Sequence, residues 1–150
     1  MKNKILIVSA CLIGLNTKYN GGNNFNKEVL NALKNYIIVP LCPEQLGGLP
    51  TPRPPAEIIG ARVMNINGVD VTQNFLHGAE ETLKFARMFN VKAAILKEGS
   101  PSCGVHYIYD GTFSSVKITG SGITASLLRK NGIKVFSEND IEEFLNEEEK

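Results

Sequence analysis

No stretch of this sequence approaches the roughly 18 consecutive apolar residues of a membrane-crossing helix, which argues against an integral membrane protein. An excess of either charge is also missing: 16 Lys and Arg stand against 15 Asp and Glu, a formal net charge of +1. The basic residues form no stripe, so no nucleic-acid polymer is expected as a partner, although a small base or nucleotide needs only a local site. The three cysteines include no C-x-x-C pair. A thiol oxidoreductase would then need two distant cysteines to meet as a redox couple. No linker, repeat or low-complexity boundary interrupts the chain. Residues 1–150 are read as one domain, long enough to bury about 70% of the surface its unfolded chain exposes.

The opening MKNKILIVSACLIGL is read as a strand and not as a signal peptide. Its apolar run is short, polar NTKYNGGNN follows at once, and no small-residue cleavage pattern is present. A cytoplasmic protein is therefore expected. In that compartment structural disulfides are rare, and three cysteines cannot pair completely in any case. Metal binding or catalysis is the better reading of them.

What the sequence has in excess, in one place, is proline. Six of the seven prolines fall in residues 40–55, PLCPEQLGGLPTPRPP, around Cys42 and Glu44. The seventh, Pro101, lies in KEGSPSCG, just before Cys103. A loop that holds a ligand outside a sheet has no ladder hydrogen bonds, and proline fixes φ without needing them. Gly47 and Gly48 let the same loop turn and approach a ligand closely. A polyproline docking peptide at TPRPP is the alternative, disfavoured because the run sits inside the domain beside a cysteine.

Continuous apolar runs at 5–11, 36–42, 91–97 and 133–136 read as buried strands, with Pro40 blurring the end of the second. Between them, FNKEVLNALKNY places Phe25, Val29, Leu30 and Leu33 on one helical face. Residues 74–89 do the same with Phe75, Ala79, Leu83 and Ala86, with Thr72 as cap and Asn90 as stop. ARVMNINGVDVT suggests a short hairpin. GITASLLRKNG reads as a helix closed by Gly132, and Ser137 with Asp140 as a capping box before a last helix carrying Ile141, Phe144 and Leu145. The acidic EEEK end is expected to fray. Alternating strands and helices predict a three-layer α/β/α sandwich on a mostly parallel sheet, Rossmann-like or flavodoxin-like.

In this order Cys11 closes the first strand, Cys42 the second, and Cys103 lies in the loop after the third. Ligands of open parallel sheets bind at the carboxyl ends of the strands. Three such placements at one rim favour a shared site over three inert core thiols. Three thiolates leave one position of a tetrahedral metal, or one iron of a cubane, without a protein ligand, and an open position marks a catalytic metal. The Cys42-Pro43 step is also familiar from ferredoxin sites.

At CPEQLGGLPTPRPPAEI, with SACL before it and KEGSPSCG after it, the chain resembles a small bacterial domain family, long of unknown function, that includes the thiouracil desulfidases. YNGG, FLHGAEETL, YDGTF and GSGITASLL extend the likeness over nearly the whole length. The resemblance implies a [4Fe–4S] cluster held by Cys11, Cys42 and Cys103. Its open iron would take sulfur from a thiolated uracil, such as 2-thiouracil or a thiouridine nucleoside or nucleotide, and release sulfide without net redox change.

A thiocarbonyl sulfur is soft and matches a soft iron site, and Lewis-acid withdrawal makes it a better leaving group. Water must then attack carbon, which needs an acid/base group. Glu44 is the first candidate. Ser100 and Ser102 flank Pro101: the resemblance favours Ser100 for a role with water or substrate, and Ser102 is a candidate donor to a cluster sulfide. Arg53, the only cation in the proline loop, is expected to hold a substrate carbonyl or phosphate. Tyr19 and Asn20 are candidates to stack on or hydrogen-bond a pyrimidine. His77 reads as a surface or packing residue, and the GSG before the fourth helix as a helix start. His106 supports the competing reading, in which it joins the three cysteines in a Cys₃His zinc site of a non-enzymatic binding module. The sequence leaves the oligomeric state open between a monomer and a weak homodimer.

Overall fold

The run ILIV, residues 5–8, is apolar throughout because it lies in the middle of a parallel sheet with helices on both faces, where neither side of a strand meets water. The computed structural model of the protein describes residues 4–149. In chain order the elements are β1 (Ile5–Ser9), α1 (Lys27–Ala32), β2 (Ile37–Leu41), α2 (Pro43–Leu46), β3 (Ala56–Ile59), β4 (Arg62–Asn65), α3 (Thr72–Met88), β5 (Ala93–Leu96), β6 (Tyr107–Tyr109), β7 (Lys117–Thr119), α4 (Ile123–Lys130), β8 (Lys134–Ser137) and α5 (Ile141–Glu148). A single 3-10 turn, Ala10–Ile13, follows β1. Met1–Asn3 and Lys150 lie outside the described residues.

The central sheet has the order β2-β1-β5-β8, and every pairing in it is parallel. Successive strand residues face opposite ways. Leu6, Val8, Ala93 and Ile95 therefore pack with Val29, Leu33, Ile141 and Phe144 of the α1/α5 layer. Ile7, Ala94 and Leu96 pack with Leu83, Ala86, Ala125 and Leu128 of the α3/α4 layer. This is the three-layer α/β/α arrangement that the alternation of elements predicts.

Pro40 is accommodated because β2 is an edge strand. Ile37 donates its N–H to Lys4 O at 2.9 Å, so alternation points position 40 outward, where no ladder donor is needed.

Local details depart from the sequence reading. The first helix is shorter: Asn26 caps it by accepting from the Val29 N–H at 3.1 Å, which leaves Phe25 outside and 52% exposed. Of its expected face, Val29 and Leu33 are buried, while Leu30 is exposed. Thr72 lies inside the first turn of α3 and is no cap; its hydroxyl accepts from the Val63 N–H at 2.9 Å. Asn90 does end that region, with φ of 55°. Of the capping box, Asp140 accepts from the Ser137 N–H at 2.9 Å, while the Ser137 hydroxyl accepts from Asn139. The expected hairpin is β3–β4, displaced towards the prolines, and a second hairpin, β6–β7, pairs antiparallel. The acidic end does not fray at Glu147 and Glu148: both lie in α5, Glu148 pairing with Lys4 at 2.9 Å and Glu147 with Lys134 at 2.6 Å.

One backbone crossing places the proline loop. Gly47, at the end of α2, meets Gly78 of α3, and Asn74 Nδ2 donates to Gly47 O at 2.9 Å. A Cβ at Gly78 would lie 1.9 Å from Pro43 O, and one at Gly47 would lie 1.9 Å from Asn74 O. Such overlap with main-chain atoms cannot be relieved by a side-chain rotation. Gly78→Ala is expected to cost about 3 kcal/mol or more of stability, read as a lower urea midpoint at unchanged m-value. An unchanged midpoint would show that α2 and α3 can separate freely.

Candidate metal centre and active-site cavity

The strand order reverses at β1, where the chain adds β2 on one side and later β5 on the other. The crevice beyond the carboxyl ends of these strands is where open parallel sheets place ligands. A cavity of about 600 Å³ opens there, within the usual range for a small-molecule site. Cys11 reaches it from the 3-10 turn after β1, Cys42 from the residue before α2, and Cys103 from the loop after β5.

The three thiols sense one another. Burial pushes the pKa of Cys11 and Cys42 up, and an anion at Cys42 raises that of Cys11 further. Cys103, 6% exposed, is pushed up to about 12 by burial, with contributions from Cys11 and Cys42. As free thiols they are protonated at neutral pH, so metal binding must displace their protons. Among the described residues no group of three or more His, Cys, Asp and Glu side chains is arranged around a single ion. A cubane, in which each thiolate takes a different iron, asks for a wider spread and for an all-sulfur donor set. The three thiols lining one cavity supply such a donor set.

The Cys₃His zinc arrangement is not what forms. His106 Nε2 sits 2.7 Å from Asp140 Oδ2, with its side chain 57% exposed, and it does not line the cavity. Its backbone is turned that way because the N–H groups of Val105, His106 and Tyr107 all point at Glu98 Oε1.

The sequence model of the 2-thiouracil desulfurase family matches residues 6–140. The chain belongs to the 2-thiouracil desulfurase family. It is also 44% identical over 151 residues to the uncharacterized protein YbbK of Bacillus subtilis (strain 168), a match covering 94% of this chain and 100% of that protein. Among solved structures it is similar to the [4Fe-4S]-dependent thiouracil desulfidase TudS, with a TM-score of 0.85 and 44% identity over 93% of this chain and 94% of that one.

In this member of the desulfurase family, Glu44 lies in the first turn of α2, two residues after Cys42, and lines the cavity. Its Oε1 accepts from Arg53 Nε at 2.8 Å, and its Oε2 lies 3.5 Å from Ser100 Oγ. Ser100 Oγ in turn accepts from the N–H groups of Ser102 and Cys103, both at 3.0 Å. One hydroxyl therefore shapes the loop of a cysteine and touches the carboxylate.

Arg53 is placed differently from the expectation of a substrate-binding cation. It is 8% exposed, and besides Glu44 its fork donates to Pro50 O at 3.2 Å, Thr51 Oγ1 at 2.8 Å, Thr17 O at 2.9 Å and Cys42 Sγ at 3.8 Å. All five donors of the guanidinium are engaged within the protein, so it braces the proline loop and aims Glu44. Ser102 is 1% exposed and points at Thr124 Oγ1, 2.8 Å away, not at the cavity. Asn20 is likewise turned aside, its side chain accepting from the Gly22 N–H at 2.9 Å in the YNGG turn. Tyr19 lines the cavity and is 41% exposed.

Of the cavity residues that the sequence does not single out, four bear directly on the cysteines. Asn24 draws the pKa of Cys11 down against the push of burial, and Ser9 does the same for Cys103. Lys97 pairs with Glu138 at 2.9 Å; burial lowers its pKa, but that carboxylate more than offsets the effect. Glu98, 3% exposed, pins the Cys103 loop through three N–H groups. Lys97 and Glu98 directly follow an apolar strand, so the strand-end rule already applied to the cysteines is the signal that reaches them.

Proposed function

We propose that this protein hydrolytically removes sulfur from a thiolated pyrimidine, releasing sulfide, with a [4Fe–4S] cluster held by Cys11, Cys42 and Cys103. The observation that carries this reading is the convergence of three thiols, from three separate strand ends, on one cavity that also contains a fixed carboxylate. The TudS likeness supports both the cluster and the reaction. When bound, the cluster supplies a soft Lewis acid suited to a thiocarbonyl sulfur.

The balance needs no electrons: a C=S bond and water give C=O and hydrogen sulfide. Glu44 is the general base. Arg53 occupies its Oε1, leaving Oε2 to take a proton from the attacking water and return it to the departing sulfur. Ser100 holds that water beside Oε2 through its hydroxyl. Arg53 acts as a positioning residue, and Tyr19 offers its ring to the pyrimidine. Ser102 and Asn20 serve the loops that carry Cys103 and Tyr19. Among the described residues no helix is long and apolar enough to cross a membrane. The reaction we place in the cytoplasm, on a small diffusible substrate.

The test is anaerobic reconstitution with iron and sulfide, followed by incubation with 2-thiouracil, a thiouridine and its monophosphate. Equimolar desulfurated base and sulfide are expected from at least one of them. A brown, cluster-loaded protein that converts none would overturn the function, and a colourless protein with stoichiometric zinc would overturn the cofactor.

A further inference from the structure

The YDGTF motif has no part in the chemistry so far, yet it borders the cavity. It forms the turn between β6 and β7, and a single side chain ties it to the other hairpin. Glu57, in β3, accepts through Oε1 from the Gly111 N–H at 2.9 Å and from the Phe113 N–H at 3.1 Å. Asp110 adds a second clasp, accepting from the Thr112 N–H at 3.0 Å and its hydroxyl at 2.6 Å.

The loop so held is strained. Phe113 has φ of 57° and Ser115 of 62°, a left-handed region that non-glycine residues adopt only where their surroundings impose it. Gly111, at φ of 95°, lets the loop close on β3: a Cβ there would lie 2.9 Å from Ile58 O. The result of this strain is visible at the cavity. Phe113, Ser115 and Tyr109 all line it, together with Glu57. The sheet rim contributes thiols and polar groups, while the hairpins contribute aromatic faces, which a planar heteroaromatic ring can stack on.

We propose that Glu57 is a positioning residue for substrate binding: by clasping the amides of Gly111 and Phe113 it holds the Phe113 ring in the cavity wall, where the pyrimidine stacks. This rests on the thiolated-pyrimidine reading above. The hydrogen bonds of Glu57 go to the Gly111 and Phe113 amides and to none of the cysteines, so its loss should weaken binding while sparing the chemical step.

The experiment uses reconstituted holoenzyme and whichever thiolated pyrimidine the wild type converts. Glu57→Ala is expected to raise KM about 10-fold, the scale of one lost base–aromatic stack, with kcat within about 2-fold and iron and sulfide content unchanged. Amide hydrogen exchange at Gly111 and Phe113 should quicken. Glu57→Gln keeps an acceptor oxygen and should restore most of the affinity. Phe113→Leu should raise KM as Glu57→Ala does. An unchanged KM in Glu57→Ala, exchange no faster than wild type, or a Gln variant as impaired as Ala would overturn the proposal and leave the desulfidase function standing. A wild-type holoenzyme that converts no thiolated pyrimidine would sink both together.

Discussion

Cys42→Ser is expected to leave a folded but colourless protein, with iron and acid-labile sulfide far below the wild-type content after reconstitution and no measurable desulfuration. A serine oxygen is a hard, weakly acidic ligand where the site offers soft thiolates to iron. The fold should survive, because the hydrogen bonds of the Cys42 thiol are long, both 3.8 Å, to Thr17 O and the Arg53 guanidinium. Thermal unfolding of the metal-free variant should therefore match that of the metal-free parent, which separates loss of ligand from loss of structure. Undiminished iron in this variant would mean that the trio is not the ligand set. Cys103→Ser is a less clean test, since that side chain is buried in the core.

Glu44→Gln should do the reverse, keeping iron, sulfide and the visible spectrum while turnover falls about 10²–10⁴-fold, the usual contribution of a positioned acid/base group. The substitution is nearly isosteric, and an amide oxygen can still accept from Arg53 Nε, so the proline loop keeps its brace. What is lost is the capacity of Oε2 to take up a proton beside Ser100. A Gln variant with wild-type turnover would remove Glu44 from the mechanism and direct attention to Glu98, the other glutamate near a cysteine loop that lines the cavity.

Both experiments concern residues that can be read from the chain itself. Strand ends are written in local composition, since apolar runs stop where the sheet stops. A rule about where parallel sheets bind ligands then carries Cys11, Cys42 and Cys103 to one rim. Glu44 follows because it is two residues from Cys42 in a segment stiffened by proline. The failures share a different cause. Arg53 reads as a free cation in sequence; its saturation by Glu44, Thr51, Pro50 and Thr17 is a property of chain segments meeting in space. Ser102 and Ser100 look alike on either side of Pro101; the resemblance favours Ser100, but it is the packing of α4, bringing Thr124 to Ser102, that turns Ser102 away from the cavity. His106 has ligand spacing in sequence, but spacing does not state which way a side chain leaves the backbone. The pull of Glu98 on three successive N–H groups does.

By itself the sequence determined the layer architecture, the rim at which the cysteines gather and the chemistry those cysteines can support. These depend on hydrophobic period and residue type, which act over a few positions at a time. Tertiary structure alone decided which polar side chains face the cavity, that α2 and α3 cross through Gly47 and Gly78, and that a clasp from Glu57 sets the aromatic wall. Those outcomes depend on hydrogen bonds and close contacts between residues tens of positions apart, and no local pattern encodes the partner.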